Sequence, residues 1–379
     1  MGHQDLYERS IQIIKKNQSS AGSYIASPNF ATYAYSWLRD GSYVAAAMSI
    51  AGEYDSARRF HQWVNLVVER YQHKIPAIRD ALNTGEPLRD QDYLFTRYSL
   101  SGFEDMTDEN WGNFQYDGYG TWLWSLYTHF DKTDDKELIS DVWESVLNVL
   151  EYLSLVWRLP SYDCWEEHPD LLHPYSLACA YGGMQAALQL AEKCSLPVER
   201  DNIKENIRSI HAFTLTNGLC DHVLKKHIHP DPDKNPYCGS SIDSSLLGAI
   251  HPAKILPLSS QEAEATLKAI QKDLLSNSGG LYRYLKDTYY GGGTWILLTA
   301  WLGWVEFQMG EEKLAHKRLN WILSKVDENG WLPEQLLDEA LTPKMTNVWK
   351  DQWGEVASPL LWSHAMYIIL HQEIFGRED

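Results

Sequence analysis

The sequence predicts an all-α fold, an (α/α)6 barrel of six inner and six outer helices, as one domain over residues 1–379. Three observations lead there. Apolar residues recur at helical spacing in about twelve stretches, while almost no segment alternates as a strand does. The stretches alternate between one-sided and all-round apolar character. Shared evenly, 379 residues give each of six helical hairpins about 63 residues.

The helical spans are 4–16, 41–52, 55–73, 118–130, 135–157, 174–193, 197–213, 243–250, 260–275, 293–309, 312–325 and 356–374. The first, third, fifth, seventh, ninth and eleventh carry charge on one side, as in RRFHQWVNLVVERY and QEAEATLKAIQKDL. Such stripes mark surface helices. The others are small or apolar nearly all round, as in VAAAMSI, GGMQAALQLA and ILLTAWLGWVEF, which marks buried ones. The turn signals Asn217-Gly218 and Gly279-Gly280 place short hairpins at 216–224 and 280–290 without changing the class.

Composition narrows the ligand. With 51 acidic against 33 basic residues the net charge is -18, which argues against nucleic acid and anionic membrane surfaces. The 16 Trp and 22 Tyr exceed what a core needs, and flat rings with polar tips suit sugar faces. The expected partner is a small oligosaccharide, with monomer and homo-oligomer both open. The start, MGHQDLYERSIQIIKK, has no apolar signal core, and no later run of roughly 18 apolar residues offers a membrane span. Five cysteines (Cys164, Cys179, Cys194, Cys220, Cys238) in unpaired spacing are expected to be free thiols of a reducing compartment, which makes the expected location cytoplasmic. Cys220, His222, His227, His229 and Cys238 resemble a zinc set only loosely, since no C-x-x-C pair is present and the stretch around Asp231 to Pro236 is turn-rich. No metal and no cofactor is expected.

The unusual residues cluster by position. Arg39-Asp40, Trp111 to Asp117, Glu166-Glu167, Arg283 to Tyr290 and Glu334 each precede an inner helix. In a barrel of helical hairpins those connections open at one end, so the clusters would converge on one funnel. Two of them, Trp165-Glu166-Glu167 and Pro333-Glu334-Gln335, set a carboxylate among aromatic and small residues. Two carboxyl groups on opposite faces of a sugar are what inverting glycoside hydrolysis needs, one as acid and one as base.

Five ordered motifs carry a family resemblance: YAYSWLRD, WGNFQYDG, DCWEEH, RYLKDTYYGGGTW, and LPEQ followed by SPLLWSHA. Together they span Tyr33 to His364 and resemble glycoside hydrolase family 15, the glucoamylases with glucodextranases and some trehalases. The resemblance implies an (α/α)6 fold, Glu166 as general acid and Glu334 as general base. It implies that Arg39 and Asp40 hold hydroxyls of the terminal glucose, with Tyr33, Tyr35 and Trp37 walling that subsite. Trp111 would abut the acid, and Trp111, Trp165 and Cys164 would raise its pKa by desolvation, while Glu334 stays ionised. Glu167 and Arg283 would bind the leaving-group sugar, and Tyr289, Tyr290, Trp295 and Trp362 would line the site or the core. For Asp117 and Asp243, beside Gln115, a supporting acceptor and a helix N-cap serve equally well. The expected activity is that of an inverting, exo-acting α-glucosidase on short α-glucosides, isomalto- or malto-oligosaccharides. A trehalase, a disaccharide phosphorylase and a catalytically silent sugar-binding module are the alternatives. The chain has room for neither the β-sandwich domain nor the starch-binding module that many relatives carry, which points to short soluble substrates.

Overall fold

The computed structural model describes residues 1–105, 111–231, 234 and 242–376. Its helices are α1 (His3–Lys16), α2 (Leu38–Ile50), α3 (Tyr54–Tyr71), α4 (Lys74–Thr84), α5 (Asp117–Thr133), α6 (Lys136–Asp141), α7 (Trp143–Val156), α8 (Pro174–Lys193), α9 (Arg200–Gly218), α10 (Leu247–Ile250), α11 (Gln261–Leu274), α12 (Ile296–Gln308), α13 (Glu312–Leu323), α14 (Lys344–Trp353) and α15 (Leu361–Phe375). Helices α2, α5, α8, α10, α12 and α15 each pack on the next, and α15 returns to α2, closing an inner ring. Around it α1 packs on α15, α3 on α2 and α5, α7 on α5 and α8, α9 on α8, and α13 on α12 and α15. α11 completes the outer layer against the turn that leads into α10. This is the (α/α)6 barrel that the alternation of helix character predicts.

Burial follows the sequence pattern. Every residue of α12 from Ile296 to Glu306 is buried. The outer helix α3 buries Ala57, Phe60, Trp63, Val64, Val67 and Val68, a stripe at i, i+3 and i+4. The inner ring is closed most tightly between α5 and α8, where glycines let backbones touch. A Cβ at Gly120 would sit 2.2 Å from the Cys179 carbonyl oxygen, and one at Gly183 would sit 2.4 Å from that of Gly120.

Several boundaries differ from expectation for local reasons. The span 135–157 divides at Val142 into α6 and α7. The expected helix 243–250 begins as a 3₁₀ turn capped by the Asp243 side chain, and only Leu247–Ile250 is α-helical before Pro252. The last helix starts at Leu361, after Pro359, rather than at 356. Helices α4 and α14 are not among the expected spans; α14 buries none of its residues fully, and its Trp349 and Trp353 are half-buried against the core.

Among the described residues the strands are two residues long: β1 (Ser36–Trp37), β2 (Arg97–Tyr98), β3 (Leu219–Cys220), β4 (Val223–Leu224), β5 (Leu281–Tyr282), β6 (Thr294–Trp295) and β7 (Gln335–Leu336). The β3–β4 hairpin falls within 216–224, but its turn is Asp221-His222, both at positive φ, while Asn217-Gly218 finish α9. The segment 280–290 is not a local hairpin, because β5 pairs with β6 and β6 with β7.

Cys220 is disulfide-bonded, which overturns the free-thiol reading for that residue and weakens the argument for a reducing compartment. Cys164, Cys179 and Cys194 are free, and Cys238 lies outside the described residues. Among the described residues no helix is long and apolar enough to cross a membrane.

The glycine contact between α5 and α8 yields a stability prediction. Gly120→Ala should cost about 1–3 kcal/mol in urea unfolding, even after the gain in helix propensity. Unchanged stability would mean that the two backbones separate at no cost.

Candidate active site

One cavity of ≈ 310 Å³ is lined by Tyr33, Trp37, Arg39, Asp40, Trp111, Trp165, Glu166, Glu167, Arg283, Tyr289, Glu334 and Trp362, with Cys164 and Trp295. Tyr35, expected as part of its wall, is not among the lining residues and donates to Asp105 instead, and Tyr290 is buried in the core. The positions of the lining residues follow from the barrel. Trp37 ends β1, Arg39 and Asp40 stand in the first turn of α2, and Trp362 stands in the first turn of α15. Trp111 precedes α5, and Trp165 to Glu167 lie on the loop before α8. Arg283 and Tyr289 come from the connection between β5 and β6, and Glu334 directly precedes β7. The β6–β7 pairing, Trp295 opposite Gln335, brings the Glu334 segment alongside the start of α12.

The two carboxyl groups hang from one short segment. The Trp37 indole N–H donates to Glu166 Oε1 at 2.7 Å, and the Tyr33 hydroxyl donates to Glu334 Oε1 at 2.9 Å. Because the Tyr33 proton goes to Glu334, the Tyr289 hydroxyl, 2.8 Å away, donates to Tyr33. Glu334 Oε2 is buried with no hydrogen-bond partner among the described residues, an acceptor fit to hold a water. Glu166 adopts a left-handed φ of 67°, uncommon for a residue with a Cβ. Asp163 enforces that turn, since its Oδ1 accepts the backbone N–H groups of Trp165 and Glu167, each at 2.9 Å.

Desolvation sets the electrostatics. Burial raises the pKa of Glu166, opposed by Arg39, by the Trp37 hydrogen bond and by Arg97. Burial also pushes Glu334 up to about 7, opposed by the Tyr33 hydrogen bond and by Arg283. Burial thus works against the ionised form that the sequence reading assigns to Glu334, and the Tyr33 hydrogen bond and Arg283 work for it. Asp40 is lifted to about 6 by burial, against the pull of Arg39.

Buried cations balance these groups. Arg39 donates to Gln115 Oε1 at 3.0 Å and to Asp117 Oδ2 at 3.1 Å, and its Nε lies 3.3 Å from Asp40 Oδ1. Asp117 is thus both the first residue of α5 and the partner of Arg39. Arg283 forks onto both oxygens of Asp287 and lies over the rings of Trp165, Tyr284, Tyr289 and Trp295. Asp243 fills both the acceptor and the N-cap reading, accepting the Ser245 backbone N–H and the Trp165 indole N–H at 3.1 Å, whereas the N-cap of α5 is Tyr116 and Asp117 is an acceptor alone.

Sequence reasoning missed other residues here. Trp349 and Trp353 on α14 line the cavity, and the Trp353 ring stacks on Trp111 at 6.2 Å. Their four-residue spacing was the available signal. Tyr284 donates to the Glu167 carboxylate at 2.7 Å, and Lys226 lies beneath it with no sequence signal at all. The loose zinc set is not assembled, since Cys220 is in a disulfide and Cys238 lies outside the described residues. Asp163, His173 and His227 do bring ligand atoms within 4.8 Å of one another. There, however, the two imidazoles meet each other at 3.1 Å and the Lys226 ammonium already faces Asp163.

A closed ring of helical hairpins that sinks a pair of carboxyl groups into an aromatic cavity defines a glycoside hydrolase of glucoamylase type. The sequence pattern of glycosyl hydrolases family 15 matches residues 2–350, and the chain belongs to that family. It is 36% identical over 372 residues to the isomaltose glucohydrolase of Kribbella flavida, covering 98% of this chain and 92% of that protein. It is 25% identical over 330 residues to Trehalase 2 of Sulfolobus acidocaldarius, covering 84% of this chain but only 54% of that one. A solved wild-type glycosidase superposes with a TM-score of 0.90 at 35% identity, over 98% of this chain and 96% of the other.

The indole bond to Glu166 can be tested directly. Trp37→Phe removes a donor that favours the ionised carboxylate, so the Glu166 pKa should rise and the limb of the hydrolysis pH profile that it sets should move to higher pH. An unmoved limb would separate that hydrogen bond from the titration.

Proposed function

We propose that the protein is an inverting, exo-acting α-glucosidase that removes glucose from the non-reducing end of short α-glucosides, isomaltose foremost, and releases β-D-glucose. The observation that carries this reading is that Glu166 and Glu334 face one cavity, Glu334 buried and Glu166 half-buried, each held by an aromatic donor from residues 33–37. Glu166 gives its proton to the glycosidic oxygen as the bond from C1 to that oxygen breaks. Glu334 takes a proton from the water whose oxygen joins C1 on the opposite face. Raised pKa values suit both tasks near neutrality, and no further group is needed to balance the reaction.

Arg39 and Asp40 offer a forked donor beside an acceptor at the mouths of inner helices, an arrangement suited to the hydroxyls of a terminal glucose. Tyr33, Trp37, Trp111 and Trp362 supply the surrounding rings, and Trp165, Glu167, Arg283 and Tyr289 the side where the leaving sugar would lie. A cavity of ≈ 310 Å³ is at the small end for ligand sites, which favours short substrates. The similarity to an isomaltose glucohydrolase favours the α-1,6 linkage, and the weaker similarity to a trehalase makes α,α-1,1 the second reading.

Time-resolved proton NMR with isomaltose, maltose and trehalose in separate samples tests the proposal. β-Glucose should appear first, and fastest from isomaltose. α-Glucose appearing first would overturn the inverting reading, preference for trehalose would install the second one, and dependence on added phosphate would indicate a phosphorylase. Glu166→Gln and Glu334→Gln should each lose roughly 10²–10⁴-fold in kcat with little change in melting temperature.

The pH profile follows from the same assignments. Glu334 works ionised and Glu166 protonated, and burial raises both, so the bell-shaped kcat/KM profile should lie at higher pH than two ordinary carboxyl groups would give. A profile with both limbs in the ordinary carboxylate range would contradict the burial of the pair.

A further inference from the structure

Beneath the loop that carries Glu166 lies a buried cation that does not line the cavity. The Lys226 ammonium, only 4% exposed, stands 3.1 Å from Asp243, 3.6 Å from Glu167 and 3.9 Å from Asp163. It also lies 3.3 Å from the centre of the Tyr284 ring. Each of those carboxylates holds a different part of the same loop. Asp163 binds the backbone N–H groups of Trp165 and Glu167, Asp243 binds the Trp165 indole, and Glu167 itself faces the cavity. Tyr284 closes the arrangement, since its hydroxyl donates to Glu167 while its ring lies against the ammonium.

We propose that Lys226 is a positioning residue for the leaving-group side of the substrate: it fixes Glu167 and Trp165 so that a departing sugar is held there. The inference rests on the glucosidase reading given above. Three buried or half-buried carboxylates this close together repel one another unless a cation stands among them. Arg283 cannot replace Lys226, because its fork is committed to Asp287 and it reaches Glu167 only at 3.9 Å. Without Lys226, Glu167 would turn away from its carboxylate neighbours and from Tyr284, which spoils an acceptor meant for sugar hydroxyls. Glu166, whose turn Asp163 holds through backbone bonds that do not involve Lys226, also keeps the separate anchor of its carboxyl to Trp37. Lys226 therefore acts on what leaves, and the glucose that stays is untouched.

That asymmetry is measurable with two substrates, isomaltose and α-D-glucosyl fluoride. The second has no leaving sugar; its C1–F bond breaks, water adds to C1, and fluoride and a proton are released. In Lys226→Met, kcat/KM for isomaltose should fall about 10²-fold while that for the fluoride stays within roughly threefold of wild type, and Lys226→Arg should recover much of the loss. Tyr284→Phe keeps the ring against the ammonium but drops the bond to Glu167, so it should show the same selective loss. It decides the matter alone if Lys226→Met gives no cooperative melt. Equal losses on both substrates, or none on isomaltose, would overturn the positioning role. Wild-type protein that frees no β-glucose from the fluoride would instead overturn the glucosidase reading, and this inference with it.

Discussion

Taking two carboxyl groups out of water is the constraint around which the rest of the molecule is arranged. Burial makes ionisation costly, and that cost lifts Glu166 and Glu334 toward neutral pH. The same burial would be ruinous for unpaired cations in or beneath the cavity, and these are matched: Arg39 by Asp40 and Asp117, Arg283 by Asp287, and, below the cavity, Lys226 by Asp163, Glu167 and Asp243. The inner ring makes this arrangement rigid. Its helices carry side chains in their first turns to one end of the barrel, and the backbone contact at Gly120 and Gly183 keeps that end from spreading.

The two sides of the cavity are built differently. Residues facing the retained sugar would be those of compact motifs, Tyr33 to Asp40 above all, in which one segment supplies donors, rings and an ion pair. The opposite side is assembled from separate loops, with Lys226, Asp243 and Tyr284 contributing beneath Trp165 and Glu167. Such a division lets one side of the cavity stay fixed while the connections on the other side change.

Much of this was legible in the sequence, and what was not has identifiable causes. Inner helices such as α12 are apolar all round, so their periodicity could be read without neighbours. Helix α10 was overestimated because the Asp243 cap and Pro252 shorten it, and α14 was missed because its short sequence, with charged residues between half-buried tryptophans, gives only a weak stripe. Glu166, Glu334 and the ten flanking residues could be found because motif spacing on five connections survives in one dimension. Lys226 could not, since its partners at 163, 167 and 243 meet it only after the barrel closes. The elevated pKa of Glu334 was equally hidden, because burial is a property of the fold. The disulfide at Cys220 escaped for a related reason: sequence spacing says little about which sulfurs meet.

The shared origin of the two donors has a consequence for adaptation. Tyr33 and Trp37 are four positions apart, their rings meet edge to face at 5.5 Å, and each grips one of the two carboxyl groups. A shift of this segment alters both grips at once. Lineages moving to more acidic or more alkaline surroundings could therefore slide the whole working range through changes beneath residues 33–37, but could not easily widen it. Broadening the range would demand changes on the far loops, where each carboxyl group can be reached without disturbing the other.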